Sequence, residues 1–329
     1  MSPQLILVII LAVIFDFLNG IHDSSNIVAT MIASRAARPQ TALALTAVAE
    51  FLGPFLFGIA VATTIGDEIV QSSALNLDVI LACLAGAILW NVLTWFFGIP
   101  SSSSHALIGG MVGAVIVGAG IGAIKINGLE KVLIGLFTSP LIGFAVGFVV
   151  TRLIYFLARN ATPDVNLLFK NGQFVTALSM AFSHGTNDAQ KTMGIITLSL
   201  VISGYLSKFS VPFWVIGLSA TAIALGTALG GWRLIRTLGG KFYKIRPVHS
   251  FSTQLSSTIV ILSASAFGFP VSTSQVVSSA IIGVGSSERL GKVRWSVAQE
   301  IVMAWFITIP ASAMFSAGIY WLITVVKEI

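Results

Sequence analysis

The sequence predicts an all-α polytopic membrane protein: two inverted-topology repeats of about five apolar segments each, with broken or re-entrant helices meeting near the midplane. Three observations predict it. Of 329 residues, 56% are hydrophobic and 9% charged, against about 25% charged in a soluble domain, so the polar surface that would cover a soluble core is missing. The apolar residues fall in long runs joined by short loops. Two pairs of polar motifs also recur in order and at nearly one offset, about half the chain. Gly20-Ile21-His22-Asp23 reads like Gly185-Thr186-Asn187-Asp188. Pro100-Ser101-Ser102-Ser103-Ser104-His105 reads like Pro270-Val271-Ser272-Thr273-Ser274-Gln275.

Ten apolar segments can be read, at about 3–19, 40–64, 77–98, 105–124, 132–158, 173–184 continuing through 192–204, 212–230, 250–269, 275–285 and 295–326. A spanning helix takes roughly 20 residues, so ten of them leave room only for short loops. Pro3–Phe17 has no basic leader and no small-residue cleavage site, and reads as a first span rather than a signal peptide. This segment continues past Asn19–Asp23 into Asn26–Ala33. The sixth is expected to break at His184–Asp188. Serine runs at 101–104 and 272–274 part neighbouring apolar runs where an ordinary loop would carry charge.

Five segments per half is an odd number, so the halves must cross in opposite senses. Residues 1–158 read as a first repeat, 159–172 as a short cytoplasmic linker, and 173–329 as a second repeat. Inverted repeats with interrupted helices are the architecture of many secondary transporters, whose site lies where the repeats meet. Non-helical backbone at that depth must be buried by protein or line a wet cavity.

The net charge of +6 reports orientation rather than a nucleic-acid partner. One set of loops holds Arg35, Arg38, Arg152, Arg159, Lys170, Arg233, Arg236, Lys241, Lys244, Arg246, Arg289, Lys292 and Arg294. The opposite set holds Lys125, Lys131, Lys208 and Lys327, with Asp67, Glu68 and Asp78. The basic side should be cytoplasmic, which puts both termini of this cell (inner) membrane protein outside. Cys83 is the only cysteine, so neither a disulfide framework nor a thiolate metal site is available. No P-loop is present, which argues against ATP-driven transport by this chain. An intramembrane enzyme is a weaker third reading behind transport and a channel; the chain is not expected to be an enzyme or to hold a resident cofactor.

Asp23 and Asp188 carry the reading furthest. A carboxylate inside a span costs several kcal/mol and normally faces a cavity, an ion or a partner. Asp16 lies deeper in the first segment without a counterpart, and Glu50 and Glu300 lie within or at the edge of apolar runs. The runs Ser101–Ser104 and Ser272–Ser274 each follow a proline and open a new apolar run, the mark of a helix N-terminus. Such an end offers free N–H groups and partial positive charge to an anion, and the hydroxyls of Ser102, Ser103, Ser104, Ser272, Thr273 and Ser274 add neutral donors. Simple capping or close helix packing is the competing account for either motif alone; their pairing favours an anion site. Asn26, Asn187 and Gln190 can give neutral oxygens to a hard cation beside the aspartates. Lys191, three residues past Asp188, shares its helix face as a structural partner or substrate contact. His22, His105 and His184 could relay protons; Gln275 stands where His105 stands in the first half.

At these residues the sequence resembles the PiT-type inorganic phosphate transporter family. The likeness rests on Asn19–Ala29 (N-G-I-H-D-S-S-N-I-V-A), Phe182–Ile195 (F-S-H-G-T-N-D-A-Q-K-T-M-G-I) and the two proline-serine motifs. The resemblance implies cation-coupled uptake of inorganic phosphate driven by Na⁺ or H⁺, often by a homodimer. By matching position it assigns the phosphate and cation sites to Asp23, Asn26, Ser102, Ser103, Asn187, Asp188, Ser272 and Thr273. His22 stands where the family usually has Asn, and the long central loop of some relatives is reduced here to about 159–173.

The expected function is therefore symport of phosphate with a cation, Na⁺ preferred, by alternating access. A sulfate permease on the same scaffold and a passive anion channel are the alternatives.

Overall fold

The computed structural model describes residues 1–56, 58–70 and 75–328, of Asp67 the backbone only. Among them are twelve α-helices: α1 (Pro3–Ala33), α2 (Pro39–Leu52), α3 (Ala60–Thr63), α4 (Leu77–Phe97), α5 (Ser103–Ala119), α6 (Ile126–Leu157), α7 (Val165–Ile202), α8 (Phe213–Leu229), α9 (Trp232–Gly240), α10 (Pro247–Ala266), α11 (Thr273–Glu288) and α12 (Trp295–Glu328). Four of these, α1, α4, α6 and α12, are each long and apolar enough to cross a membrane. Two bent pairs behave alike: Pro39–Phe55 with Ala60–Gly66, and Phe213–Leu229 with Trp232–Gly240, both turned by 69°. The protein is an all-α, polytopic membrane fold, with Ile10, Leu141, Phe156, Phe213 and Trp321 among the large apolar side chains on its outer face.

Helix α7 is unbroken from Val165 to Ile202, so the interruption expected at His184–Asp188 does not occur. That stretch holds no proline and keeps its main-chain bonds while its side chains carry the polarity. Gly185 is there for packing, since a Cβ on it would meet the Glu50 carbonyl of α2. The helix also starts at Val165 rather than 173, which shortens the linker after α6 to residues 158–164.

The real interruptions sit at two helical hairpins, α4–α5 and α10–α11. Each first arm ends on a glycine in the left-handed region, Gly98 at φ 69° and Gly268 at φ 70°. Gly98 N–H bonds to Trp95 O at 3.1 Å and Ile99 N–H to Thr94 O at 2.9 Å. Gly268 N–H bonds to Ser265 O at 3.1 Å and Phe269 N–H to Ala264 O at 2.9 Å. These are matching Schellman caps, followed two residues on by Pro100 and Pro270, which cannot continue a helix. The second arms, α5 with 17 residues and α11 with 16, rise about 25 Å, short of a roughly 30 Å hydrocarbon core.

The packing crosses between the halves. Helix α5 lies along α12, with Gly109 and Gly113 against the backbone of Ile309 and Ala313, and α6 lies along α11, with Gly143 and Gly147 against Val276 and Ala280. Helix α1 crosses α8 where Gly20 meets Ile223 and Gly226 meets Phe17; α7 crosses α2 where Gly185 meets Glu50 and Gly53 meets Phe182. Without lipid-side hydrophobic drive, such small-residue seams let backbones approach closely enough for dispersion to hold them. Pro140 in α6 and Pro310 in α12 are separated by the same stretch of chain as Pro100 and Pro270. The hairpin tips end up between α1 and α7.

Candidate functional site

Ser102 and Ser272 are the N-caps of α5 and α11. Ser102 Oγ accepts from His105 N–H at 3.1 Å, and Ser272 Oγ from Gln275 N–H at 3.3 Å. Each hydroxyl keeps its own proton to donate. The first amides of each helix, at Ser103–Ser104 and Thr273–Ser274, have no intrahelical acceptor and bring two positive dipole ends to one place. The tips touch. Ser104 Oγ donates to Val271 O at 3.1 Å, and the Gln275 amide Nε2 lies 2.9 Å from His105 Nδ1.

Helices α1 and α7 present the acids to these tips. Asp23 Oδ1 accepts from Ser274 Oγ at 2.6 Å and from Asn26 Nδ2 at 2.7 Å, while His22 Nδ1 lies 3.6 Å away on its flank. Asp188 Oδ2 accepts from Thr273 Oγ1 at 2.8 Å and lies 2.9 Å from His184 Nε2. Thr273 and His184 each also reach Asp23 Oδ2, both at 3.4 Å. One hydroxyl and one imidazole thus bridge the two carboxylates. Lys191 pairs with Asp188 Oδ1 and donates to Ser104 Oγ at 2.6 Å and to Val271 O at 3.2 Å. All of these side chains are buried.

Behind the aspartates, His184 Nδ1 bonds to Glu50 Oε1, so the imidazole joins Glu50 of α2 to the acids of both long helices. Asp16 is equally buried and lies within electrostatic reach of Asp188, Glu50 and Lys191. Asp23, His184 and Asp188 can each offer one ligand atom, all within 4.8 Å of one another. That spacing admits a single hard cation, and the neighbouring hydroxyl oxygens of Thr273 and Ser274 add to the kind of ligand set such an ion takes.

The structure therefore gathers Asp23, Asn26, Ser104, Asp188, Lys191, Thr273 and Ser274, with Ser102, Ser103 and Ser272 in the turns around them and His105 and Gln275 paired at the tips. Two expected ligands also have partners outside the aspartate pair. Asn187 Nδ2 donates to Ser265 Oγ of α10 at 2.9 Å. Gln190 Oε1 accepts from Val61 and Ala62 N–H at 2.9 and 3.3 Å, which fixes the start of α3. Successive residues on a helix project about 100° apart, so a residue next to Asp188 in sequence looks toward another neighbour. Sequence reasoning points to His184 only as a general proton relay and to Glu50 only as an acid within or at the edge of an apolar run. The signal for a joint role is nevertheless present: two ionisable groups in apolar runs, each too costly to bury alone. Glu300 is exposed and outside the cluster.

Two grooves flank the tips at corresponding places. One, of about 690 Å³, is lined by Thr94, Pro100, Thr237, Lys241 and Glu300; the other, of about 300 Å³, by Ser139, Ala264, Phe269 and Val271.

A model of the phosphate transporter family matches residues 19–316. A protein of Rhizobium meliloti (strain 1021) named "Probable low-affinity inorganic phosphate transporter" is 45% identical, over 97% of this chain and 96% of its own length. One of the same name from Bacillus subtilis (strain 168) is 42% identical, over 98% and 97%. The fold matches a solved structure described as "The sodium-dependent phosphate transporter" with a TM-score of 0.88 and 25% identity, over 98% of this chain and 100% of the other. The matched residues take in both aspartate motifs, both hairpins and every side chain of the buried cluster except Asp16. This multi-pass membrane protein belongs to the phosphate transporter family.

Proposed function

We propose that the chain carries inorganic phosphate across the membrane together with a cation, by alternating access. One observation carries the reading: two buried aspartates from different halves, Asp23 and Asp188, share the Thr273 hydroxyl beneath two converging helix N-termini. Donors for an anion and oxygens for a cation lie within one cluster. Phosphate would take the free amides at Ser103, Ser104, Thr273 and Ser274, draw their hydroxyls away from their present acceptors, and present its own O–H to a carboxylate. The cation would sit against the Asp23 carboxylate, beside Asn26 and Ser274, offsetting the anion's charge and lowering the cost of moving the loaded site.

Na⁺ is the preferred ion, because carboxylate, amide and hydroxyl oxygens suit it and the solved relative is described as sodium-dependent. H⁺ is the second reading, favoured by the Glu50–His184–aspartate chain. The two halves, divided in the linker before α7, act as inverted repeats that rock against each other. The paired Schellman caps, Pro140 with Pro310, and the crossed packing of α5 on α12 and α6 on α11 support this relation. We extend the proposal to a homodimer in the cell (inner) membrane with both termini outside, on the family resemblance and the loop charges.

The test is uptake of labelled phosphate into proteoliposomes under imposed Na⁺ or pH gradients. Accumulation above the outside concentration with an inward Na⁺ gradient is expected. Accumulation that follows only the pH gradient replaces Na⁺ by H⁺. Simple equilibration under every gradient marks a passive channel and ends the symport reading.

A further inference from the structure

Lys191 occupies a place that the symmetry of the chain reserves for something else. Aligning the aspartate motifs sets Asp23 on Asp188, so the counterpart of Lys191 is Asn26. Aligning the hairpin motifs sets Pro100 on Pro270, so the counterpart of Ser104 is Ser274. The contacts follow this correspondence. Asn26 Nδ2 reaches Asp23, three residues back on α1, at 2.7 Å, and Ser274 of the opposite hairpin at 2.9 Å. Lys191 Nζ reaches Asp188, three residues back on α7, and Ser104 of the opposite hairpin at 2.6 Å. The same two half-sites are built twice, one ending in a neutral amide and the other in an ammonium.

The surroundings of Lys191 Nζ are those of a hard cation: a carboxylate oxygen, a hydroxyl oxygen and the main-chain oxygen of Val271 at 3.2 Å. All three ammonium protons have acceptors, and the side chain is fully buried. Asp188 therefore has a permanent positive partner. Asp23 has no such partner to itself: its hydrogen-bond donors Ser274, Asn26 and Thr273 are neutral, and its ion-pair neighbours are His22 at 3.6 Å and, at 3.4 Å, the His184 imidazole that also serves Asp188 and Glu50. One imidazole shared among three buried carboxylates compensates Asp23 less fully than Lys191 compensates Asp188, so the Asp23 side is where a mobile cation gains most. Rotating the Asn26 amide by half a turn would turn its oxygen toward such an ion.

We propose that the Lys191 ammonium is a built-in counter-cation, filling permanently in the second half the position at which the first half, through Asp23, Asn26 and Ser274, takes a mobile coupling ion. This rests on the cation-coupled reading above and sharpens it. The chain needs one coupling cation fewer per phosphate than it would with Asn at both positions.

Two mirrored variants test it. Lys191→Asn opens a second mobile site, and Asn26→Lys closes the first. With purified protein and saturating phosphate, bound ²²Na⁺ per chain should rise by one in Lys191→Asn and fall by one in Asn26→Lys. The Na⁺-to-phosphate ratio, from the reversal potential in proteoliposomes, should move the same way. Na⁺ should also raise the melting temperature of Lys191→Asn more steeply than that of wild type, because the variant binds more of it. Folding is read independently by size-exclusion elution, and if Lys191→Asn does not fold, Asn26→Lys alone decides. Unchanged Na⁺ binding and coupling ratio in the folded variants overturns the proposal while leaving symport intact. Wild-type uptake that ignores every cation gradient refutes the symport reading and this inference with it.

Discussion

His105 and Gln275, at the same place in their two motifs, are in direct contact, with Nδ1 and Nε2 2.9 Å apart. Equivalent positions touch only when the axis relating them runs between them, as in an isologous interface. The contact thus marks where the hairpins α4–α5 and α10–α11 face each other. Gln275→Leu should loosen the tips and lower phosphate uptake by about 5-fold, the scale of one lost hydrogen bond. The exchange variant, His105→Gln with Gln275→His, should recover most of it in a proteoliposome assay. No recovery would show that the two positions are not interchangeable.

Thr273 places one hydroxyl between Asp23 and Asp188. Thr273→Ala should cut phosphate uptake by about 10- to 150-fold, since a hydrogen bond to a charged group contributes roughly 1.5–3 kcal/mol. Thr273→Ser, which keeps the hydroxyl, should stay within about 3-fold of wild type. Equal losses in both would mean that the methyl group matters and the hydroxyl does not.

Near neutral pH phosphate retains a proton and sulfate does not. A site that accepts the substrate O–H on Asp23 or Asp188 leaves sulfate facing unpaired negative charge, and such sites discriminate strongly. Excess arsenate, which also carries a proton, should compete with labelled phosphate, and the same excess of sulfate should not. Competition by sulfate with arsenate inert would convert the reading to a sulfate permease.

Helix α8 offers a paired test of packing. A Cβ on Gly226 would meet Phe17 O and lie 2.9 Å from Ile21 N, whereas one on Gly217 would meet nothing within 4 Å. Gly226→Ala should lower the melting temperature in detergent, with a cost of about 1–3 kcal/mol for overpacking. Gly217→Ala should leave it unchanged or raise it, by the roughly 1 kcal/mol that Ala gains over Gly in a helix.

Much of this site is legible because the chain states it twice. The repeated Asp23 and Asp188 motifs and the repeated proline-serine runs point to one meeting place before any coordinates are known. Direction is not legible. Asn187 and Gln190 flank Asp188 in sequence, but helical phase turns them to Ser265 and to α3. The continuity of α7 is hidden as well, since a polar stretch resembles a break until its hydrogen bonds are seen to continue. Glu50 and His184 are far apart in the chain, and only the crossing of α2 over α7 brings them together.

That crossed arrangement also governs how the protein can be made. Helix α5 packs first on α4, but its glycine seam is completed by α12, where Gly113 rests on Ala313, a residue synthesised 200 positions later. Helix α2 waits in the same way for α7. Contacts at such separations form slowly, because the chain between them must be ordered first. During translation the early helices therefore stand in the bilayer with their glycine seams bare, against lipid or an insertion factor, until α12 leaves the ribosome. A chain cut short before α12 would keep its whole buried cluster of acids and still have no lid for α5. Its exposed small-residue face is what a membrane protease could recognise as an unfinished product.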